Sequence, residues 1–239
     1  MASHYFKFKQ FEIQQDLCSM KVGTDSVILG AWADTSDSKN ALDVGTGTGI
    51  LALMLAQKGV DKICAVEIDE VAASQAEKNF NESNYASKIN VITQSFQLFS
   101  KSMSEKFDLI ISNPPYFNNS KKPQNEERKT ARHQDLLNFE DLLIGVERII
   151  NKDKGIFYLV MPIENLEKFI ITSIKYGLYL SDLLLIFPSA NHLKPKRAAV
   201  KMSTKKNKIK TQYLFIENSE RHHYTTQYIE LTKDFYLKF

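Results

Sequence analysis

Between Asn40 and Met161, short apolar runs of strand character alternate with segments whose apolar residues recur at helical spacing, and no other feature constrains the fold as much. The runs are Ala41-Leu42-Asp43-Val44, Lys62-Ile63-Cys64-Ala65-Val66, Ile89-Asn90-Val91-Ile92, Leu109-Ile110-Ile111 and Gly155-Ile156-Phe157-Tyr158-Leu159-Val160. Helices are predicted over Ile50–Gln57, Glu70–Asn81 and Phe139–Ile150, as crossovers over a parallel sheet. Right-handed crossovers then give a Rossmann-like α/β fold, a doubly wound and mostly parallel sheet. Farther on, a helix is predicted near Leu166–Tyr176, and the runs Leu183–Phe187 and Tyr213–Glu217 are expected to close the sheet as an antiparallel C-terminal strand pair. At the other end, Phe6, Phe8 and Phe11 predict a short edge strand or hairpin, and a helix starting at Thr24 or Asp25 runs through Trp32. Without a Gly/Ser linker or an internal repeat, 239 residues read as one catalytic domain, 35–239, with an N-terminal extension, 1–34, packed on it.

Ligands of such sheets bind beyond the carboxyl ends of the strands, and the chemistry-bearing residues fall there. The first run continues into Asp43-Val44-Gly45-Thr46-Gly47-Thr48-Gly49, whose glycines permit positive φ and close backbone approach. Gly47-Thr48-Gly49-Ile50-Leu51-Ala52 also satisfies the GxGxxG/A pattern of dinucleotide binders, so the loop alone is ambiguous. Glu67, in Val66-Glu67-Ile68-Asp69, ends the second run at the distance expected of a carboxylate that accepts both hydroxyls of a ribose. Asp43 would repel a pyrophosphate crowding the loop but suits a cationic amino-acid end, which favours S-adenosylmethionine. After the third run, Gln94 or Ser95 is the candidate contact to the cofactor adenine. Lys21, Gly23 and Thr24 are candidates to cover the cofactor, with a helix cap as the competing explanation of Thr24.

The fourth run spills into Asn113-Pro114-Pro115-Tyr116. Two consecutive prolines fix φ and supply no N–H, which leaves a rigid loop whose carbonyls only accept hydrogen bonds. Asn113 adds an amide oxygen and Tyr116 a flat ring, so the group suits a planar NH₂ that donates two protons while its ring stacks on the aromatic face. Group transfer to that nitrogen is the chemistry suggested. Tyr116, with Phe117, would stack on a base drawn out of its own stack. The polar segment 118–134 reads as a substrate-facing loop carrying Lys121, Lys122, Arg128, Lys129, Arg132 and His133.

Composition excludes other classes. Hydrophobic residues at 43% and charged residues at 25% match a soluble protein, and no apolar run is long enough for a bilayer. Met1–Gln10 lacks the pattern of a signal peptide, so a cytoplasmic location is expected. Cys18 and Cys64 have neither paired spacing nor a histidine cluster nearby; both read as plain buried thiols, and no metal is expected. Net charge is +3, yet Lys194, Lys196, Arg197, Lys201, Lys205, Lys206, Lys208 and Lys210 lie in one stretch without an acidic residue. The basicity is therefore local, as for a polyanion partner such as RNA, although basic edge strands also discourage aggregation.

The glycine loop, Glu67 and the Asn-Pro-Pro-Tyr turn, in this order, resemble a class I S-adenosylmethionine-dependent methyltransferase acting on an amino or amide nitrogen. Lys21–Trp32 (KVGTDSVILGAW), Ala131-Arg132-His133 and the ending Tyr228–Leu237 are further similar to the bacterial tRNA1(Val) adenine-N6 methyltransferase family. That resemblance implies methylation of the adenine beside the anticodon, with tRNA as partner and S-adenosylhomocysteine as coproduct. It also implies that Asp43, Gly45, Gly47, Gly49 and Glu67 hold the cofactor, with Ile68 beside them, and that Asn113 to Tyr116 hold the base. Gln94 and Ser95 stand where many relatives place an acidic residue. Other readings stay open: a ribosomal guanine, a DNA adenine or a protein glutamine as acceptor, an NAD-dependent oxidoreductase, or a non-catalytic RNA binder. The sequence does not set the oligomeric state; a monomer is taken.

Overall fold

The computed structural model describes residues 4–18, 21–114 and 137–239. Its centre is an eight-stranded sheet built from β3 (Asn40–Val44), β4 (Lys62–Glu67), β5 (Ile89–Thr93), β6 (Leu109–Ser112), β7 (Ile156–Pro162), β8 (Tyr179–Ser189), β9 (Arg197–Ser203) and β10 (Lys210–Glu217). Their order is β10-β8-β9-β7-β6-β3-β4-β5. From β5 to β7 every pairing is parallel. The chain order reverses between β3 and β6, which creates the crevice where such sheets take ligands.

Alternation along the strands sorts side chains to two cores. Ala41, Leu109, Ile111, Tyr158 and Val160 face helices α1 (Thr24–Trp32), α2 (Ile50–Gln57) and α3 (Glu70–Asn81). Leu42, Ile110, Phe157, Leu159 and Met161 face α4 (Phe96–Ser102), α5 (Phe139–Ile149) and α6 (Leu166–Lys175). A sheet covered on both faces needs strands apolar on both sides, as the continuous run of β7 is.

The C-terminal strands differ from the expectation in one respect. Leu183–Phe187 and Tyr213–Glu217 lie in β8 and β10, which run parallel to each other. The antiparallel strand is β9, inserted between β7 and β8 and pairing antiparallel with both. Because β9 reverses the chain once before β10, β10 returns in the direction of β8. Arg197 and Lys201 flank Ala198, Ala199 and Val200 and hide β9 inside what reads as a basic run. Helix α1 starts at Thr24 as expected, but neither Thr24 nor Asp25 caps it: the N-cap is Gly23, which has no side chain to cap with.

The N-terminal segment forms a hairpin of β1 (Tyr5–Lys7) and β2 (Glu12–Gln14). Phe8 stacks on Tyr236 beyond the last helix, α7 (Thr226–Thr232), with ring centroids 5.9 Å apart. Lys9 Nζ donates to the Lys233 and Phe239 carbonyls at 2.6 and 2.7 Å. On the opposite side the hairpin is held by Asn79, a buried residue of α3. Its Oδ1 accepts from Gln14 N at 2.9 Å, while its Nδ2 donates to Gln14 O at 2.9 Å and to Thr48 O at 2.8 Å. One amide therefore joins the hairpin, α3 and the glycine loop. Leu in place of Asn79 would strand one N–H and two carbonyls, so Asn79→Leu is expected to lose about 2 kcal/mol of unfolding free energy in urea. An unchanged midpoint and slope would contradict this role.

Candidate active site

The glycine loop connects β3 to α2, and its path demands glycine. Gly45, Gly47 and Gly49 have φ of +70°, +56° and +86°. The three differ in surroundings. A Cβ on Gly49 would lie 2.4 Å from the Phe80 ring, whereas a Cβ on Gly45 or Gly47 would meet nothing within 4 Å among the described residues. Gly49 thus serves packing, and Gly45 and Gly47 leave a cradle that a side chain would fill.

Asp43 sits under this loop with no solvent exposure. Its Oδ2 accepts from Thr46 Oγ1 at 2.6 Å and Ala52 N at 3.2 Å, while Oδ1 has no hydrogen-bond partner among the described residues. Burial pushes its pKa up to about 7; the Thr46 and Ala52 bonds pull the other way, and the charge of Glu67 adds to the rise. A buried carboxylate with a bare oxygen beside a glycine cradle fits a ligand that brings positive charge, such as the amino-acid end of S-adenosylmethionine.

Glu67 closes the loop from the next strand. Its Oε2 accepts from Gly47 N at 2.9 Å, and its Oε1 accepts from Ile68 N at 3.0 Å and Asp69 N at 3.1 Å. Three backbone donors fix the carboxylate and leave a lone pair on Oε2, the geometry a ribose hydroxyl needs. Ile68 is exposed next to it. The Cys18 thiol is pushed up to about 11 by burial and by the charges of Glu67, Asp69 and Asp16, so the hairpin's trailing end lies near this carboxylate. Burial likewise pushes Cys64 up to about 12; neither sulfur is a thiolate at neutral pH.

Asn113 leaves the carboxyl end of β6. Ser112 and Val44 are register partners, so Asn113 and Gly45 start from adjacent strand ends about 4.8 Å apart. Asn113 Nδ2 donates to Ser26 Oγ at 2.7 Å, which draws α1 and the Gly23–Thr24 entry to this crevice. Lys21 is exposed just before them. Pro114 is buried; Pro115, Tyr116, Phe117, Arg132 and His133 lie outside the described residues, as do Lys121, Lys122, Arg128 and Lys129. Ser95 caps α4, its hydroxyl accepting from Leu98 N at 3.4 Å, and Gln94 N bonds Glu67 O at 2.8 Å.

The basic run divides. Arg197 pairs with Pro162 and Ile186, at the carboxyl edge, and its Nε donates to Asp25 Oδ2 at 2.8 Å. Lys194 and Lys196 are exposed on the same edge. Ser203 pairs with Ile156 and Tyr179, so the exposed Lys205 and Lys206 emerge at the opposite edge, roughly 20 Å away along β9. Ser26 lies in the Lys21–Trp32 segment but has no role assigned there, and Gln75 and Asn79 are polar contacts of this region that no motif marks. A serine on the apolar face of a helix and amides inside Glu70–Asn81 were the available signals.

Asp43 also gives the fold a pH dependence. Its folded pKa of about 7 exceeds the ordinary 3.8, so its contribution to stability is fully present below about pH 4 and lost as pH rises through about 7. Asp43→Asn keeps the shape and removes the titration. The stability of the wild type relative to this variant is expected to fall between about pH 4 and about pH 8 in urea unfolding, and a constant difference would contradict the burial argument.

Among the described residues no His, Cys, Asp or Glu side chains group as metal ligands, and no helix is long and apolar enough to cross a membrane. Residues 18–136 match the methyltransferase small domain family. In structure the chain is similar to a predicted O-methyltransferase from Agrobacterium tumefaciens, with TM-score 0.64, 18% identity and coverage of 88% of this chain and 96% of that one. A ribosomal protein L11 methylase from Lactobacillus delbrueckii gives TM-score 0.59 at 19% identity over 81% and 84%. These share the class I methyltransferase fold. In sequence the chain is 44% identical, over the whole of both chains, to a Bacteroides fragilis protein named tRNA1(Val) (adenine(37)-N6)-methyltransferase. Full-length similarity at that level, on this fold, places the chain in the tRNA1(Val) (adenine(37)-N6)-methyltransferase family.

Proposed function

We propose that this chain transfers a methyl group from S-adenosylmethionine to N6 of an adenine in tRNA, the adenine at position 37 of tRNA1(Val), as its relatives are named for. The observation that carries the reading is adjacency: the glycine loop and Asn113 leave neighbouring parallel strands in register, so a cofactor over one faces a base held by the other. Bound there, S-adenosylmethionine supplies an electrophilic methyl on a sulfonium sulfur. Asp43 would hold its cationic end, Gly45 and Gly47 its chain, with Gly49 turning the loop into α2, and Glu67 its ribose. Ile68 and Ser95 would flank the adenine, and Lys21, Gly23 and Thr24 would cover the site.

The adenine amino group is a weak nucleophile because its lone pair is delocalised into the ring. Asn113 Oδ1 and the Pro114 carbonyl would accept its two protons and direct that pair at the methyl, so the rate would come from position and electrostatics without a covalent enzyme intermediate. Tyr116 and Phe117 would stack on the extruded base, with Pro115 stiffening the turn. Arg132, His133, Lys194, Lys196 and Arg197 would meet the RNA. Residues 1–34 act in this scheme as an extension packed on the catalytic domain, 35–239. We take the enzyme as a cytoplasmic monomer.

The test is transfer of labelled methyl to unmodified tRNA. Asn113→Ala is expected to abolish transfer while S-adenosylhomocysteine binding by calorimetry stays within about twofold, and an active variant would refute the reading. The split of the basic run gives a second expectation. Charge removal at Lys194 and Lys196 should reduce the salt dependence of tRNA binding by about one to two phosphate contacts, and at Lys205 and Lys206 by less. The reverse ranking would put the RNA on the opposite edge.

A further inference from the structure

Ser26 carries no chemical role in the scheme above, yet its Oγ accepts from Asn113 Nδ2 at 2.7 Å across 87 residues of sequence. It is 8% exposed, on a helix whose next three residues, Val27, Ile28 and Leu29, are fully buried. A hydroxyl in that setting needs a polar partner, and Asn113 provides it.

The helix that carries Ser26 is fixed at both ends. In its first turn Asp25 pairs with Arg197 at 2.8 Å. At its last turn the Lys58 ammonium donates to the carbonyls of Ala31, at 2.8 Å, and Ala33, where the exposed C=O groups of a helix attract a cation. Ser26 is therefore a fixed reference point against which a side chain at the end of β6 can be set.

Asn113 needs such a reference. Its terminal torsion is broad and roughly two-fold, so the amide can present either its oxygen or its NH₂ to the crevice. A substrate amino group donates protons, and an NH₂ facing it would set donor against donor. In the structure the hydroxyl accepts from Nδ2, and an amide held by that bond turns Oδ1 the other way.

We propose that Ser26 is a positioning residue that sets the orientation of the Asn113 amide, so that its oxygen and not its nitrogen meets the substrate amine. The inference rests on the reading of Asn113 as the acceptor for that amine. The experiment compares Ser26→Ala, Ser26→Thr and Asn113→Ala in steady-state methyl transfer to a tRNA transcript, with S-adenosylhomocysteine affinity and melting temperature measured on each. Ser26→Ala is expected to lower kcat about tenfold, with KM for tRNA and cofactor affinity within about twofold, and Ser26→Thr to recover most of the loss. An inactive Asn113→Ala beside a Ser26→Ala enzyme of normal kcat would overturn this inference alone. Equal losses in the Ala and Thr variants that track melting temperature would overturn it too, in favour of plain packing. An active Asn113→Ala would instead remove the reading on which it rests.

Discussion

At the end of β3 the Asp43 carboxylate takes one hydrogen bond from the Thr46 hydroxyl and another from the Ala52 amide, and so ties both ends of the glycine turn to a single buried point. Without that tie, a loop with three residues at positive φ would have many conformations to choose from. With it, Gly47 N is aimed at Glu67, and Gly45 and Thr46 N are aimed at the Val66 carbonyl. The cost is a fully buried carboxyl group with one oxygen unpaired among the described residues. A site that buries a carboxylate in this way is destabilised until a cation arrives, which couples ligand binding to the order of the loop.

Two further devices bring distant chain to the same crevice. The Asn79 amide bonds the N-terminal hairpin and the glycine loop together, and Gln75 on the same face of α3 accepts from Leu17 N at 3.3 Å. Helix α1 contributes Ser26 on one side and, through Asp25, meets the first residue of β9 on the other. The basic carboxyl-edge end of β9 and the side chain at the end of β6 are thus linked through two consecutive residues of one helix.

How far this was legible in sequence depends on the range of the interaction. Ile50–Gln57 and Glu70–Asn81 are helices over the very residues their periodicity picked out, and Phe139–Ile150 misses by one, because core-facing apolar spacing is a local signal. The glycines and Glu67 were legible for the same reason: positive φ and a strand-end carboxylate are requirements of a turn. The direction of β10 was not, since it depends on β9 entering the sheet between its neighbours. Nor was the bond between Ser26 and Asn113, which no spacing rule connects, or the division of the lysines between two edges, which follows from the register of β9. Composition reported eight clustered charges; only pairing told where they emerge.

Everything above converges on the crevice between the glycine loop and Asn113 as the place where a tRNA adenine is methylated. Nucleoside mass spectrometry of tRNA from cells lacking this protein tests it most directly. N6-methyladenosine at position 37 of tRNA1(Val) is expected to disappear in those cells and to return when the wild-type chain is restored. Persistence of that nucleoside at its normal level in the deletion cells would contradict it.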